Sequence, residues 1–214
     1  MPAFSEGNAV TGLILAGGRG TRMGAADKGL QQLHGMPLVC HAVQRLRGQV
    51  GEILISANRN HATYAHFNIP LVKDAIDGFQ GPLAGLQSGM MHCQTPYLMT
   101  VPCDTPFFPL DLVQRLMEGL LHEQADLAIV MAGDDACQQI QPLFCLTHVR
   151  LLPNLSAFLQ QGGRGAGRWA ATVGAAQVCF NDHHAFVNIN TIEMLNYYEN
   201  AGDHAINSGI RGVD

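Results

Sequence analysis

VTGLILAGGRGTRMGAADK, residues 10–28, is the stretch that decides the fold of this chain. Residues 10–16 form a short apolar run, which predicts a buried β-strand. Glycines follow at positions 17, 18, 20 and 24, and Lys28 ends the segment. An apolar strand that leads directly into a long glycine-rich loop is typical of the first strand and loop of an α/β domain.

Strands and helices alternate along the rest of the chain. Further strands are predicted at residues 52–57, 70–73, 96–102, 125–131 and 141–146. Helices are predicted at residues 37–49, 61–67, from Pro82 onward, 109–122, and 149–160 with an interruption at Pro153. The alternation predicts an α/β fold: a single-domain three-layer sandwich over residues 10–200, around a mostly parallel, Rossmann-like sheet, with tails at 1–9 and 201–214.

Composition excludes several classes of protein. With 214 residues, 47% of them hydrophobic, the chain can bury a large core. Its net charge of −5 gives no global attraction to nucleic acid or to an anionic membrane, so neither is expected as a partner. The first nine residues lack a basic, apolar leader, and the six cysteines form no C-x-x-C pair, so we expect a reducing, cytoplasmic location.

The glycine-rich loop has the composition of an anion-binding site. Its glycines let backbone N–H groups approach phosphate oxygens, while Arg19, Arg22 and Lys28 offer charged donors to a polyphosphate. Only two lysines occur in the chain, so the position of Lys28 carries weight. The loop lacks the Walker G-x-x-x-x-G-K-[ST] pattern, and Met23 stands where the dinucleotide fingerprint needs its last glycine. The alternative is an ordinary solvated glycine loop.

Two aspartates follow predicted strands and are candidates for the same site. Asp104 lies between Pro102 and Pro106, which restrict its backbone, and a carboxylate there can hold Mg²⁺ on a triphosphate. Asp74 is a second candidate, as a metal ligand or as an acceptor for a nucleotide base. Taken singly, each aspartate is also compatible with a helix cap or a turn.

Two other polar segments have less specific patterns. Cys179, His183 and His184 invite a zinc interpretation, but their spacing matches no common zinc motif and we favour ordinary histidines. Residues 162–168 read GGRGAGR, which we interpret as a mobile basic loop that closes over an anionic acceptor through Arg164 and Arg168, or as a simple flexible connection.

Four motifs together resemble the molybdenum cofactor guanylyltransferase family. They are L-A-G-G with R-M-G and D-K at residues 15–28, G-P-L-A-G at 81–85, P-C-D-T-P at 102–106 and F-V-N-x-N-T at 186–191. The resemblance implies a nucleotidyltransferase fold and transfer of GMP from GTP to molybdopterin-bound molybdenum cofactor, with release of pyrophosphate. It also implies Mg²⁺ as cofactor, and molybdoenzyme chaperones or other proteins of cofactor biosynthesis as further partners.

The same resemblance implies the roles of individual residues. It places GTP against Leu15, Ala16, Gly17, Gly18, Ser56, Asp74 and Lys28, and against Asp104, which also binds Mg²⁺. We expect Arg22, Lys28 and the ion on Asp104 to stabilise the triphosphate and the departing pyrophosphate. Asn188 and Asn190 are expected to contact either a second metal ion or the acceptor.

The sequence departs from the family at two places, and two rivals stay open. Ser56 stands where the family commonly has Asn, and Arg164 is followed by Gly165 rather than by a second arginine. A cytidylyltransferase acting on the same pterin is one rival, although Gly18 and Pro82 favour guanine. A noncatalytic nucleotide-binding or cofactor-delivery protein is the other.

Overall fold

The computed structural model describes residues 9–16, 27–74, 81–133 and 138–200, and a seven-stranded sheet forms the centre of that part. The predicted tails therefore lie outside it, except for Ala9. In order across the sheet the strands are β5 (Leu71–Val72), β4 (Glu52–Ser56), β1 (Val10–Leu15), β6 (Tyr97–Pro102), β8 (Gln139–His148), β7 (Leu127–Ala132) and β9 (Ala176–Phe180).

Most neighbouring strands run parallel. β1 lies between β4 and β6 and pairs with both in parallel register, so that Leu15 stands beside Ser56 and Pro102. β4 pairs with β5, and β7 with β9, also in parallel. Only β8, of the strands in this sheet, is antiparallel to its neighbours β6 and β7. The predicted α/β fold with a mostly parallel sheet is confirmed, and β1, β4 and β6 end at one edge.

Helices cover both faces of the sheet, which confirms the three-layer arrangement. They are α1 (Leu38–Leu46), α2 (His61–Ala65), α3 (Pro82–His92), α4 (Leu112–His122), α5 (Leu152–Gln160), α6 (Ala166–Val173) and α7 (Ile192–Asn200). One buried cluster packs α1, α2 and α4 on the sheet, and a second cluster packs α3, α5 and α6 on the opposite face. None of the helices described is long and apolar enough to cross a membrane.

A small third cluster joins the hairpin of β2 (Gln32–Leu33) and β3 (Met36–Pro37) to α7. Leu33, Leu38 and Ile189 are its fully buried members. The sequence interpretation did not include this hairpin or α7. Strands of two residues are too short to show an alternation of apolar and polar residues, so the sequence pattern did not predict the hairpin.

Three sequence predictions are corrected by the fold. Pro153 lies in the first turn of α5 instead of interrupting a helix. The N–H groups of a first turn have no partner within the helix, so a proline there costs no hydrogen bond. The strand predicted at 141–146 is the middle of the longer β8. The helix predicted at 37–49 ends at Leu46, ahead of Gly48, whose φ of 89° leaves the helical region.

The basic segment 162–168 is not a loop throughout, which is a fourth correction. Helix α6 begins at Ala166 and includes Arg168, while β9, which the sequence interpretation missed, follows it. Trp169 anchors the helix: it is 1% exposed, and its indole N–H donates to Asn154 Oδ1 at 2.9 Å. Burial of this large aromatic side chain explains why a glycine-rich segment becomes ordered here.

Candidate functional site

The carboxyl edge of the parallel strands brings the candidate residues together. Leu15 ends β1, Ser56 ends β4, and Asp104 follows two residues after the end of β6. Backbone hydrogen bonds continue the pairing past the strand ends, from Ala16 N–H to Ser56 O at 2.8 Å and from Cys103 N–H to Leu15 O at 3.1 Å. Parallel strands that stop at one edge leave a shared crevice, which is where α/β sheets bind ligands.

Lys28 contacts Asp104 at this edge of the sheet. The Lys28 ammonium lies 3.1 Å from Asp104 Oδ2 and also donates a hydrogen bond to Asn190 Oδ1. Lys28 and Asp104 are 24% and 15% exposed, so solvent and small ligands can still reach the pair. The predicted proximity of Lys28 and Asp104 is therefore observed, and an ammonium beside a carboxylate offers both a phosphate contact and a metal ligand.

The segment that holds Asn188 and Asn190 runs directly alongside Asp104. Ile189 N–H donates to Asp104 O at 2.7 Å, and the Thr105 hydroxyl donates to Asn188 Oδ1 at 2.6 Å. Ile189 itself is fully buried. These contacts fix two amide side chains next to the carboxylate although the chain separates them by more than 80 residues.

Asp74 lies at the same edge of the sheet, two residues after the end of β5, and Asn58 holds its side chain by hydrogen bonds. Asn58 Nδ2 donates to Asp74 Oδ2 at 2.7 Å, and Asp74 N–H donates to Asn58 Oδ1 at 3.0 Å. Burial raises the pKa of the Asp74 carboxyl, while the hydrogen bond from Asn58 lowers it in part. The sequence interpretation missed Asn58 as a site residue, although its place two residues after the end of β4 signalled this edge.

Gly85 of α3 packs closely against Ser56, Leu15 and Asp74. A Cβ placed on Gly85 of α3 would stand 2.8 Å from Ser56 Oγ, 3.0 Å from Leu15 Cδ2 and 3.6 Å from Asp74 Oδ1. Ser56 is 2% exposed. The end of β1, the end of β4 and Asp74 therefore approach the backbone of α3 closely at Gly85, which leaves no room for a side chain at that position.

The donor set around Asp104 suits Mg²⁺. Within the four described ranges, no cluster of three or more His, Cys, Asp or Glu side chains could hold a metal ion alone. Magnesium does not require such a cage, because it commonly takes one or two carboxylates together with phosphate oxygens and waters. The exposed part of Asp104 fits an ion of this kind, one that arrives with a phosphate ligand.

The other predicted site residues fall outside this group. Gly17, Gly18 and Arg22 belong to residues 17–26, which lie outside the described part of the chain. Arg164 donates to the carbonyl oxygens of Leu159 and Gly163 at 2.8 and 2.7 Å, and so helps to end α5. Cys179 is exposed and hydrogen-bonds to Gln138, while the His183 and His184 rings lie 3.9 Å apart.

The chain is similar to known proteins in both sequence and structure. Residues 12–177 match the model of the MobA-like NTP transferase domain. The chain is 51% identical over 191 residues to the molybdenum cofactor guanylyltransferase of Cupriavidus necator, covering 89% of this chain and 96% of that protein. It is 48% identical over 188 residues to the protein of the same name from Bordetella pertussis, covering 88% and 95%.

A solved structure shares the fold at low sequence identity. Molybdopterin-guanine dinucleotide biosynthesis protein A from Archaeoglobus fulgidus superposes with a TM-score of 0.70 at 18% identity, over 88% of this chain and 96% of that one. The family match over residues 12–177 includes Lys28, Asp74 and Asp104. The chain therefore belongs to the molybdenum cofactor guanylyltransferase family and carries a MobA-like NTP transferase domain.

Proposed function

We propose that this protein transfers GMP from GTP to the terminal phosphate of molybdopterin-bound molybdenum cofactor and releases pyrophosphate. The observation that carries the proposal is the approach of Lys28 to Asp104 and Asn190 at the sheet edge, in a chain about half identical to enzymes named for this reaction. An acceptor phosphate oxygen forms a bond to the α-phosphorus of GTP, and the bond from that phosphorus to the bridging oxygen of pyrophosphate breaks.

Lys28 has the charge that the triphosphate requires. Its ammonium is paired with Asp104 at 3.1 Å, and an incoming phosphate can share this cation without a large movement of either side chain. Arg22, in the preceding segment, is assigned to the same task. Positive groups placed in advance near the developing pyrophosphate charge stabilise the transition state more than mobile water does.

Asp104 is the residue that we assign to Mg²⁺. When bound there, the ion would neutralise phosphate charge and help pyrophosphate to leave. No side-chain base is required for attack, because a phosphate monoester has a second pKa of about 6 and is largely dianionic at neutral pH. Asn188 and Asn190, which lie beside Asp104, are assigned to the acceptor or to a second ion.

The guanosine is assigned to the part of the edge formed by Ser56 and Asp74. Asp74 and Ser56 lie together beside Gly85, and the Asp74 carboxylate can accept hydrogen bonds from adjacent N–H donors such as those of guanine. Leu15, Ala16, Gly17 and Gly18 are assigned to the nucleotide along the first loop. Ser56 has one hydroxyl, so more of the base selection falls on Asp74.

Thermal unfolding with GTP, CTP, ATP and UTP, each with Mg²⁺, tests the proposal. A ligand at 100 times its dissociation constant adds about 2.7 kcal/mol to the free energy of unfolding. We expect a shift specific to GTP that Lys28→Ala removes, while Arg150→Ala, which alters an exposed cation elsewhere, keeps it. With molybdenum cofactor added, pyrophosphate should be released from GTP.

Other outcomes of this experiment discriminate the rivals. A shift and turnover with CTP instead of GTP would favour the cytidylyltransferase. Stabilisation by GTP without pyrophosphate release would favour the noncatalytic nucleotide-binding protein. If a folded protein with intact acceptor shows neither stabilisation by GTP nor release of pyrophosphate, the proposal is contradicted.

The proposal extends to compartment and partners. Cys40, Cys93, Cys103, Cys145 and Cys179 are free thiols, which is typical of proteins in a reducing cytoplasm. We propose the cytoplasm as the location and molybdoenzyme chaperones, or other proteins of cofactor biosynthesis, as recipients of the product. Copurification of tagged protein with such recipients in cytoplasmic extract would test this part.

A further inference from the structure

A buried carboxylate stands immediately before Lys28 and shapes its backbone. Asp27 caps the 3₁₀ turn Lys28–Leu30, because its Oδ1 accepts a hydrogen bond from Gly29 N–H at 3.2 Å. The Asp27 side chain is 3% exposed. A buried charge of this kind costs free energy unless it is well hydrogen-bonded, so its other partners decide whether the turn keeps its shape.

Those partners come from the region of α2. The Tyr64 hydroxyl donates to Asp27 Oδ1 at 2.7 Å, and Asn60 Nδ2 donates to Asp27 Oδ2 at 2.8 Å. Arg59 Nε lies 3.6 Å from the same Oδ2. Tyr64 is fully buried, and burial, with nearby Cys103 and Asp27, raises the pKa of its hydroxyl, which therefore remains a donor.

The turn is also confined sterically. A Cβ on Gly29 would stand 2.4 Å from the Tyr64 hydroxyl and 3.4 Å from Cys103 Sγ, so the backbone at Gly29 fits between α2 and the end of β6. Burial raises the pKa of the Cys103 thiol, which makes it a neutral packing surface. Contacts from two sides therefore set where the Lys28 backbone lies.

We propose that Tyr64 and Asn60 are positioning residues that act through the Asp27 carboxylate to hold Lys28 against Asp104. Neither side chain needs to touch the substrate. The part of the proposal that concerns catalysis rests on the proposed function, in which Lys28 meets the triphosphate. The structural part concerns only the position of the Lys28 ammonium beside Asp104.

Lysine labelling tests the structural part without nucleotide or pterin. The chain contains only Lys28 and Lys73 as lysines, and Lys73 is exposed, so it serves as an internal reference. A limiting amount of an acetylating N-hydroxysuccinimide ester, followed by mass spectrometry, gives the ratio of modification at the two positions. The α-amino group is resolved on its own peptide.

Two variants and a matched control are available. Tyr64→Phe deletes the hydroxyl only. Asn60→Gly deletes the amide and suits the backbone, because Asn60 has a φ of 55°. Asn68→Gly is the control, since Asn68 follows the same helix, has a φ of 53° and is exposed.

Both test variants should raise the ratio of Lys28 to Lys73 labelling. Loss of one hydrogen bond to a charged group, here the Asp27 carboxylate, corresponds to about a tenfold change in the equilibrium between the held and the released position of Lys28. The KM for GTP should rise together with the labelling ratio, while Asn68→Gly leaves both unchanged. An unchanged ratio in both folded variants would overturn the proposal, as would an equal rise at both lysines, which indicates general loosening.

Lysine labelling and stabilisation by GTP report on different roles of Lys28. If the labelling ratio rises but GTP stabilises every variant as it does the unaltered protein, the positioning role stands and the assignment of Lys28 to the triphosphate fails. If Tyr64→Phe does not fold, Asn60→Gly still gives the decisive ratio, because it removes an amide near the surface without strain in the backbone.

Discussion

Two aspartate ion pairs lie at opposite edges of the central sheet and differ in their surroundings. Lys28 and Asp104, 24% and 15% exposed, meet at the carboxyl edge, beside Asn190. Arg150 and Asp126, 63% and 29% exposed, meet at the amino edge, where Asp126 directly precedes β7. The first pair joins residues 76 positions apart in the chain, and the second joins residues 24 apart.

The difference shows which ion pair is suited to chemistry. An exposed pair typically contributes about 0–1 kcal/mol to stability and needs no further explanation. A partly buried pair must offset the desolvation of both charges, so it is weak evidence for stability. Lys28 and Asp104 instead lie at the carboxyl edge beside the side-chain amides of Asn188 and Asn190, a placement that favours binding of a ligand by both charges.

Removal of the Asp104 carboxylate should give the largest effect. We expect Asp104→Ala to lower guanylyl transfer by about a thousandfold or more, because a preorganised charge at the reacting phosphates is lost. The fold should persist, since the side chain is not part of the apolar core. Pyrophosphate release and a thermal melt measure the two quantities.

Asp126→Ala is the control for that experiment. It also breaks an aspartate ion pair, but at the amino edge, and should leave turnover unchanged. Near-normal turnover of Asp104→Ala with Mg²⁺, or equal losses in the two variants, would remove the distinction between the pairs.

Two glycines of α3 give a second, smaller test of the carboxyl edge. Gly85→Ala should push Ser56 Oγ and Leu15 apart, since the new Cβ would stand 2.8 and 3.0 Å from them. Overpacking costs about 1–3 kcal/mol, so we expect GTP affinity to fall by about tenfold. Titration of GTP by calorimetry measures the change.

Gly89→Ala, one helical turn further on, is the matched control. Its Cβ would meet Leu13 Cδ2 at 2.4 Å and Leu98 Cδ2 at 3.1 Å, which are core atoms and belong to neither Ser56 nor Asp74. Its cost should appear in thermal stability, with GTP affinity retained. Loss of affinity in Gly89→Ala but not in Gly85→Ala would refute the assignment of Ser56 and Asp74 to the nucleotide.

The smallest effect is expected from Asp74→Asn on stability. Burial raises the pKa of the Asp74 carboxyl in the folded protein above its ordinary value of 3.8. The neutral carboxyl therefore contributes stability that is fully present below pH 3.8. That contribution is lost as the pH rises through the folded pKa, where the buried carboxyl becomes charged. The amide can still accept from Asn58. The variant should therefore melt slightly higher at pH 7 and show no gain below pH 3.8, in melts across that range.

Asp111→Asn, at an exposed position, should show no such pattern and serves as the control. If the unaltered protein melts at or above Asp74→Asn at pH 7, the carboxylate does not carry the desolvation cost inferred from its position.

Much of the fold could be predicted from hydrophobic runs. β1, β4 and β6 are apolar segments bounded by polar or turn residues, so their positions were correct to within one or two residues. The segment from 162 onward was missed because its glycines indicate flexibility locally. Trp169, buried against α5 by tertiary packing, overrides that preference.

The candidate site was predicted in part. Lys28, Asp74 and Asp104 stood out because each follows a predicted strand or glycine loop, and the structure places them along one edge. Tyr64 gave no signal, because a tyrosine in a short helix most often serves the core. Its hydroxyl gains significance only through Asp27, which lies 37 residues earlier in the chain.

The sequence by itself determined the family, the alternation of strands and helices, and the loop and aspartates at the ends of strands, because these are properties of local spacing. Tertiary structure alone decided that Lys28 meets Asp104 and Asn190, that Asn58 holds Asp74, and that α2 supports Asp27. The physical reason is that hydrogen bonds and burial depend on distances in space. Pairing of parallel strands brings residues close together that are far apart in the chain.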